Sequence, residues 1–358
     1  MRRRARAHPA RPGETCGRCR GAGHPWGSVP VVRAGARRYS AAVVRGWQFP
    51  LALLLLGACA APVPAPYARL LGAAQDGGIP HVTCPCANCA QAASRPSWAH
   101  RVAALAVVGR DGRWWLIDAT PDFPEQVADM GSLPSGILLT HAHIGHYTGL
   151  MYLGREALGS RSLPVYCSAR MTEFLRQNGP WSQLVALGQI ELHTVRSGEK
   201  LALDEELSIT PLRVPHRDEL SDTCAFLVEV RGGRRLLYLP DIDAWERWEH
   251  DLRSLAVTLD YLLVDGTFYS SGELPGRALA EIPHPFVTHT VELLEPVVNG
   301  TNAAVVFLHL NHSNPLWNPD TAAARALRER GFWAAPQLRC FPLAPSPAQG
   351  RSAPATAR

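Results

Sequence analysis

A short apolar run, Gly136-Ile137-Leu138-Leu139, passes directly into Thr140-His141-Ala142-His143-Ile144-Gly145-His146, and this junction restricts the folds open to the chain more than any other stretch. The run reads as a buried strand. Histidines two apart cannot share one face of a helix, so His141 and His143 converge only from a loop at the strand's end, with a helix expected over about 146–157. Neutral imidazole is the commonest protein ligand of transition metals. Three imidazoles aimed into one small volume predict a metal site at the edge of a sheet.

Upstream, Cys84-Pro85-Cys86-Ala87-Asn88-Cys89 places three thiols within six residues. They are enough to wrap a tetrahedral zinc if a fourth ligand comes from elsewhere. His312 is the expected fourth, because it shares a short segment with His309 and the two could point to neighbouring metals. A disulfide between two of the three thiols, leaving the third unpaired, is the alternative.

Proline and glycine, 30 of each, and a hydrophobic fraction of 46% in 358 residues suit one large loop-rich domain. Strands are predicted at 105–108, 114–118, 136–140, 165–168, around 192, and at 207–214, 224–230, 236–239, 262–265 and 304–308, with a helix near 289–297. Many β runs with occasional helices fit two packed sheets with helices outside.

His141-x-His143-x-Gly145-His146 resembles the His-x-His-x-Asp-His signature of the metallo-β-lactamase superfamily, and the resemblance extends from about residue 67 to 342. It implies an α/β fold, the αββα sandwich of two mixed β-sheets with outer helices, over residues 68–343. It also implies ligands at the ends of three later β-prone runs, His216, Asp241 and His309. By the family's order, His141, His143 and His216 hold a first ion, His146 and His309 a second, and Asp241 bridges the two. The cysteine cluster, the pair His309 and His312, and Gly72-Ala73-Ala74-Gln75-Asp76-Gly77-Gly78-Ile79-Pro80 resemble one branch of the superfamily, containing a phosphonate-pathway cyclic phosphodiesterase and pyrroloquinoline quinone biosynthesis protein B. One position departs from the pattern: Gly145 stands where the family has Asp. With that carboxylate missing, the second ion is expected to be the weaker one, and Gly145→Asp is expected to tighten it.

These implied ligands point to a metal-dependent hydrolase, because zinc on neutral imidazoles lowers the pKa of bound water to about 7 and supplies hydroxide as the nucleophile. A phosphodiester or a related ester is the expected substrate, a small molecule. His284 resembles the branch's proton donor to the leaving group, with His289 as the other candidate, while Asp241 orients the nucleophile. Asp118 resembles a residue that braces a ligand, and Asp265 is similarly placed. The expected cofactors are one structural zinc at Cys84, Cys86, Cys89 and His312 and one or two zinc ions at the active site, where iron or manganese would also fit. Two alternatives remain open: an iron oxygenase or cofactor-pathway protein like the quinone biosynthesis protein, and a non-catalytic metal-binding lipoprotein.

The apolar stretch 49–58 is too short for a comfortable membrane span, and Leu56-Gly57-Ala58-Cys59 looks like a bacterial lipobox with Cys59 as the acylated residue. The segment 47–59 is therefore expected to be a lipoprotein signal and 60–67 a tether, with the protein lipid-anchored at the periplasmic side of a bacterial envelope. Residues 1–46, with eleven arginines against Glu14, are expected to be a basic leader or a mis-called start. Cys16 and Cys19, a lone pair, carry little as a zinc site. The tail 344–358, rich in Ala, Pro and Ser, is expected to be disordered. The formal charge of the whole chain is 36 minus 31, or +5, but without the leader it is 25 minus 30, or −5, which removes the argument for a nucleic-acid partner.

Overall fold

The computed structural model describes residues 64–273 and 283–345. The leader with Cys16 and Cys19, the expected signal with Cys59, residues 60–63 of the tether and the tail beyond 345 lie outside the described residues.

The strands are β1 (Tyr67–Gly72), β2 (Ala104–Val108), β3 (Trp114–Ile117), β4 (Gly136–Leu138), β5 (Leu163–Cys167), β6 (Ile190–Thr194), β7 (Leu201–Ala202), β8 (Leu207–Val214), β9 (Thr223–Val230), β10 (Arg235–Leu239), β11 (Tyr261–Asp265), β12 (Ala304–Leu308), β13 (Trp333–Ala334) and β14 (Cys340–Pro342). They form two seven-stranded sheets, ordered β14-β1-β2-β3-β4-β5-β6 and β13-β12-β11-β10-β9-β8-β7. Both are mixed: β14 to β3 and β7 to β10 run antiparallel, and the remaining pairs are parallel.

Side-chain alternation separates the layers. In β2, Leu105 and Val107 join a large core with Ile209, Val228 and Leu237 of the second sheet, while Ala104, Ala106 and Val108 point the other way. A strand buried on both faces needs an unbroken apolar run, and Ala104-Leu105-Ala106-Val107-Val108 supplies one. The helices are α1 (Ala87–Ser94), α2 (Phe123–Met130), α3 (Ile144–Tyr147), α4 (Ala169–Gln177), α5 (Trp181–Ala186), α6 (Leu252–Ala256), α7 (Val287–Gly300) and α8 (Ala322–Glu329). Phe123, Tyr147, Met171 and Leu184, from α2 to α5, cover the outward face of the first sheet. Leu252, Val291 and Leu327 of α6, α7 and α8 pack with the large core. This is the expected αββα sandwich.

The helix expected over 146–157 is not formed as such. α3 ends at Tyr147 and a 3-10 segment, Thr148–Leu153, follows. The Gly149 N–H donates to the Ala119 carbonyl at 2.8 Å instead of continuing an α-helical ladder. The predicted strands ending at 118 and 140 stop at Ile117 and Leu138.

Strand direction fixes where the chemistry gathers. β1, β3 and β4 point the same way in the first sheet, as do β8, β10, β11 and β12 in the second, so the residues after their carboxyl ends meet along one edge of the sandwich.

Candidate metal centre

At that edge β4 leads into His141, His143 and His146, β8 into His216, β10 into Asp241 and β12 into His309. Two turns aim side chains inward by an unusual route: Asp118 after β3 and His309 after β12 have left-handed φ of +68° and +59°. Such conformations cost a non-glycine residue of order 1–3 kcal/mol each and persist only where the surroundings impose them.

His141, His143 and His216 each offer a ring nitrogen to one small volume, all within 4.8 Å of one another. His141 Nε2 and His143 Nδ1 approach to 2.8 Å, and the His216 ring lies 5.4 and 5.1 Å from those of His141 and His143. The opposite nitrogens have outward partners: Thr140 Oγ1 at 2.9 Å from His141 Nδ1, Glu219 at 3.2 Å from His143 Nε2, and Asp243 at 3.1 Å from His216 Nδ1. Since a carboxylate only accepts, the nitrogens facing Glu219 and Asp243 carry the proton, and each inward nitrogen is left with a lone pair. Burial, reinforced by His146, holds the His141 ring well below its usual pKa and therefore neutral.

Beside this triad, His146 Nε2 lies 3.3 Å from Asp241 Oδ2 and 3.3 Å from Asp76 Oδ1, and His309 Nε2 lies 3.5 and 3.7 Å from the same two atoms. His146 Nδ1 donates to Asp118 at 2.8 Å, and Thr267 Oγ1 stands 3.1 Å from His309 Nδ1. Burial opposes charge on His146, but Asp118 and Asp241 outweigh it and hold its pKa well above the usual value. Burial likewise opposes the Asp241 carboxylate, while His309 and His146 drive its pKa far below the ordinary range. A site this negative attracts either a proton or a metal cation at the same nitrogen.

The donor set fits a cation on a further observation. Asp76 Oδ1, Asp241 Oδ2, His146 Nε2, His216 Nε2 and His309 Nε2 are all buried without a hydrogen-bond partner. A buried polar atom left so costs about 1–3 kcal/mol, and several facing one another are what a shared ion would satisfy.

The position opposite Gly145 is not vacant, which corrects the expectation of a missing carboxylate. Asp76, in the loop after β1, reaches it, and a Cβ at residue 145 would stand 2.7 Å from Asp76 Cα and 2.9 Å from Asp76 Cγ. Gly145→Asp alone would therefore collide rather than restore a ligand. Asp76 was visible within Gln75-Asp76-Gly77-Gly78, but nothing in the local sequence tied it to a histidine so far along the chain. Asp243, which orients His216, lies two residues beyond Asp241 and was also missed.

His284 is buried beside this centre. Its Nδ1 donates to Asp265 Oδ2 at 2.7 Å and lies 4.0 Å from Asp241 Oδ1. Asp265 is fixed in turn by the Ile242 and Thr267 N–H groups at 3.1 and 2.9 Å. Burial disfavours charge on His284, yet Asp265 raises its pKa above the usual value. His289 is not brought in: it pairs with Glu246 at 3.2 Å on an exposed face of α7.

The cysteines form a separate cluster. Cys84, Cys86 and Cys89 are free thiols, and with His312 they place four donor atoms within 4.8 Å of one another. His312 Nδ1 is 3.3 Å from Cys84 Sγ and 3.5 Å from Cys86 Sγ. No disulfide links them.

Comparison with known proteins agrees with this geometry. Residues 113–310 match the model of the β-lactamase superfamily domain. Coenzyme PQQ synthesis protein B of Methylococcus capsulatus is 30% identical over 298 residues, covering 74% of this chain and 95% of that protein. The Pseudomonas protegens protein of the same name is 26% identical over 300 residues, with 74% and 95% covered. The fold is similar to Zn(2+)-bound PqqB from Methylobacterium extorquens, with TM-score 0.66 and 22% identity over 77% of this chain and all of that one. It is also similar to a diphosphatase from the PhnP family, with TM-score 0.58 and 22% identity over 78% of this chain and 98% of that one. With two mixed sheets, histidines at the expected strand ends and a family match over more than half its length, the chain belongs to the metallo-β-lactamase superfamily, in the branch that includes coenzyme PQQ synthesis protein B.

Proposed function

We propose that the protein is a metal-dependent hydrolase acting on a phosphodiester or related ester, with its active-site cation at His141, His143 and His216. The Zn(2+)-bound relative supports zinc as that cation, and Cys84, Cys86, Cys89 and His312 would hold a structural zinc. When bound, the ion supplies Lewis-acid polarisation of the substrate and acidifies water at neutral pH. The observation that carries the reading is His284. Its Nδ1 donates to Asp265, whose carboxylate raises its pKa and so favours the charged ring, in which Nε2 would carry the proton a leaving oxygen requires. Asp241, kept ionised, orients the attacking group. Arg217 is exposed at the rim with Nη2 3.5 Å from His143 Nδ1, and its positive charge favours an anionic substrate.

A second reading, a role in a quinone cofactor pathway, is favoured by the relatives named for PQQ synthesis. Imidazole and carboxylate ligands serve iron as well as zinc. The test is turnover of a panel of phosphodiesters and carboxylic esters by full-length protein of measured metal content, with His284→Gln alongside. The hydrolase reading expects phosphodiester turnover, and a loss of about 10²–10⁴-fold in kcat for the variant at unchanged metal content. A fully loaded protein that turns over nothing in the panel would favour the second reading.

A further inference from the structure

The geometry points to Asp76 as a relocated metal ligand: supplied from the loop after β1, it takes the place of the carboxylate that position 145 lacks and completes a second divalent-cation site with His146, His309 and Asp241. This rests on the metal-centre reading above and extends it to a residue from a different segment.

Three independent features converge. The first is the set of donors: Asp76 Oδ1, Asp241 Oδ2, His146 Nε2 and His309 Nε2 are each buried and unpartnered, and the two carboxylate oxygens lie 3.3–3.7 Å from both ring nitrogens. Two carboxylates and two imidazoles match a hard-to-borderline dication such as Zn²⁺ or Mn²⁺. The second is steric. Because a Cβ at 145 would stand 2.7 Å from Asp76 Cα, the glycine is what lets the Asp76 backbone approach, so the missing side chain and the incoming carboxylate are one arrangement. The third is registration. Gln75 N–H donates to the Leu310 carbonyl at 3.0 Å and Leu310 N–H to the Ala73 carbonyl at 2.9 Å. These bonds tie the residue before Asp76 to the residue after His309, fixing the one ligand against the other.

The consequence is an exclusion rule. A side chain at residue 145 and a carboxylate presented by residue 76 exclude one another. The experiment is zinc titration of metal-free full-length protein, read by bound zinc per chain after equilibrium dialysis, with cobalt loaded in parallel so that the thiolate charge-transfer band follows the cysteine centre on its own. Asp76→Asn preserves shape and removes charge, and it should weaken one zinc equivalent by about tenfold or more while the thiolate band is unchanged. Gly145→Asp should also lose that equivalent, through collision. Gly145→Ala, which adds the Cβ without a carboxylate, should lose it too, and an unchanged melting temperature of metal-free Asp76→Asn shows that the loss in that variant is not misfolding.

Wild-type zinc affinity in Asp76→Asn would overturn the inference, as would wild-type affinity in Gly145→Ala. None of these measurements uses a substrate. A protein that turns over nothing yet obeys the exclusion rule would sink the hydrolase reading alone, and an active protein that breaks the rule would sink the ligand assignment alone.

Discussion

Asp118 faces no substrate, yet it decides which nitrogen of His146 is free. Its Oδ2 accepts from His146 Nδ1, and its Oδ1 accepts the Thr140 N–H at 2.8 Å. Asp118→Asn is an informative change, because asparagine tolerates the left-handed φ of +68° and can still accept the Thr140 bond. Its NH2 then faces His146 Nδ1, so His146 loses both the charge and the acceptor behind it, and its proton is driven to the Nε2 that a metal would need. Metal affinity should fall by about 10–100-fold with the unfolding midpoint of the metal-free protein nearly unchanged, as equilibrium dialysis and thermal melts would show. A variant whose metal-free form also melts early would mean that Asp118 matters for folding instead. At this scale the histidines were legible because each closes an apolar run that forces it to a strand end. Asp76 was not, since a ligand recruited across the fold leaves no local spacing to read.

The cysteine loop and α1 share a residue, Cys86, which is both a candidate zinc ligand and the N-cap of the helix, with extended φ and ψ of −62° and 160° and no side-chain cap. Serine caps helices better, by up to about 1 kcal/mol. Cys86→Ser should therefore leave the metal-free protein as stable as before or slightly more so, yet lower the melting temperature of the zinc-loaded protein by several degrees. A metal-free protein destabilised to the same extent would show that Cys86 acts by packing alone. His143→Ala should do the opposite, abolishing turnover while the fold persists.

His100, stacked on Trp317 with ring centroids 4.2 Å apart, links the same region to pH. Burial pushes its pKa down to about 4, below the unfolded value near 6.5. The folded state thus binds fewer protons between those values, so stability is complete above pH ~6.5 and declines as pH falls toward ~4. After allowance for partial exposure the loss is about 2 kcal/mol. His100→Gln should flatten that slope, measured as the difference between wild-type and variant unfolding curves. An unchanged slope would assign it to other groups. Long buried strands such as β8, β9 and β12 were readable from their apolar runs. The two- and three-residue strands β7, β13 and β14 have too few residues for periodicity, and α3 was overread because glycines at 145 and 149 serve close packing rather than helix.

Over the whole molecule, the layered architecture was legible because two sheets sharing one core require many unbroken apolar strands, and the chain has them. What the pattern could not reveal is how the two candidate metal centres are tied together. Asp76 and the three thiols sit on one stretch of chain after β1, while His309 and His312 sit on another after β12. A cavity of about 190 Å³ is lined by both stretches, with Asp76 and His81 from the first and Asn311 and His312 from the second. Zinc gripping the thiols and His312 would immobilise both stretches, removing in advance much of the ordering entropy that the second site must otherwise overcome. Thermodynamic reciprocity then makes loading cooperative in both directions. A protein limited for zinc would then divide between fully loaded and metal-free chains, with few holding only one of the two centres.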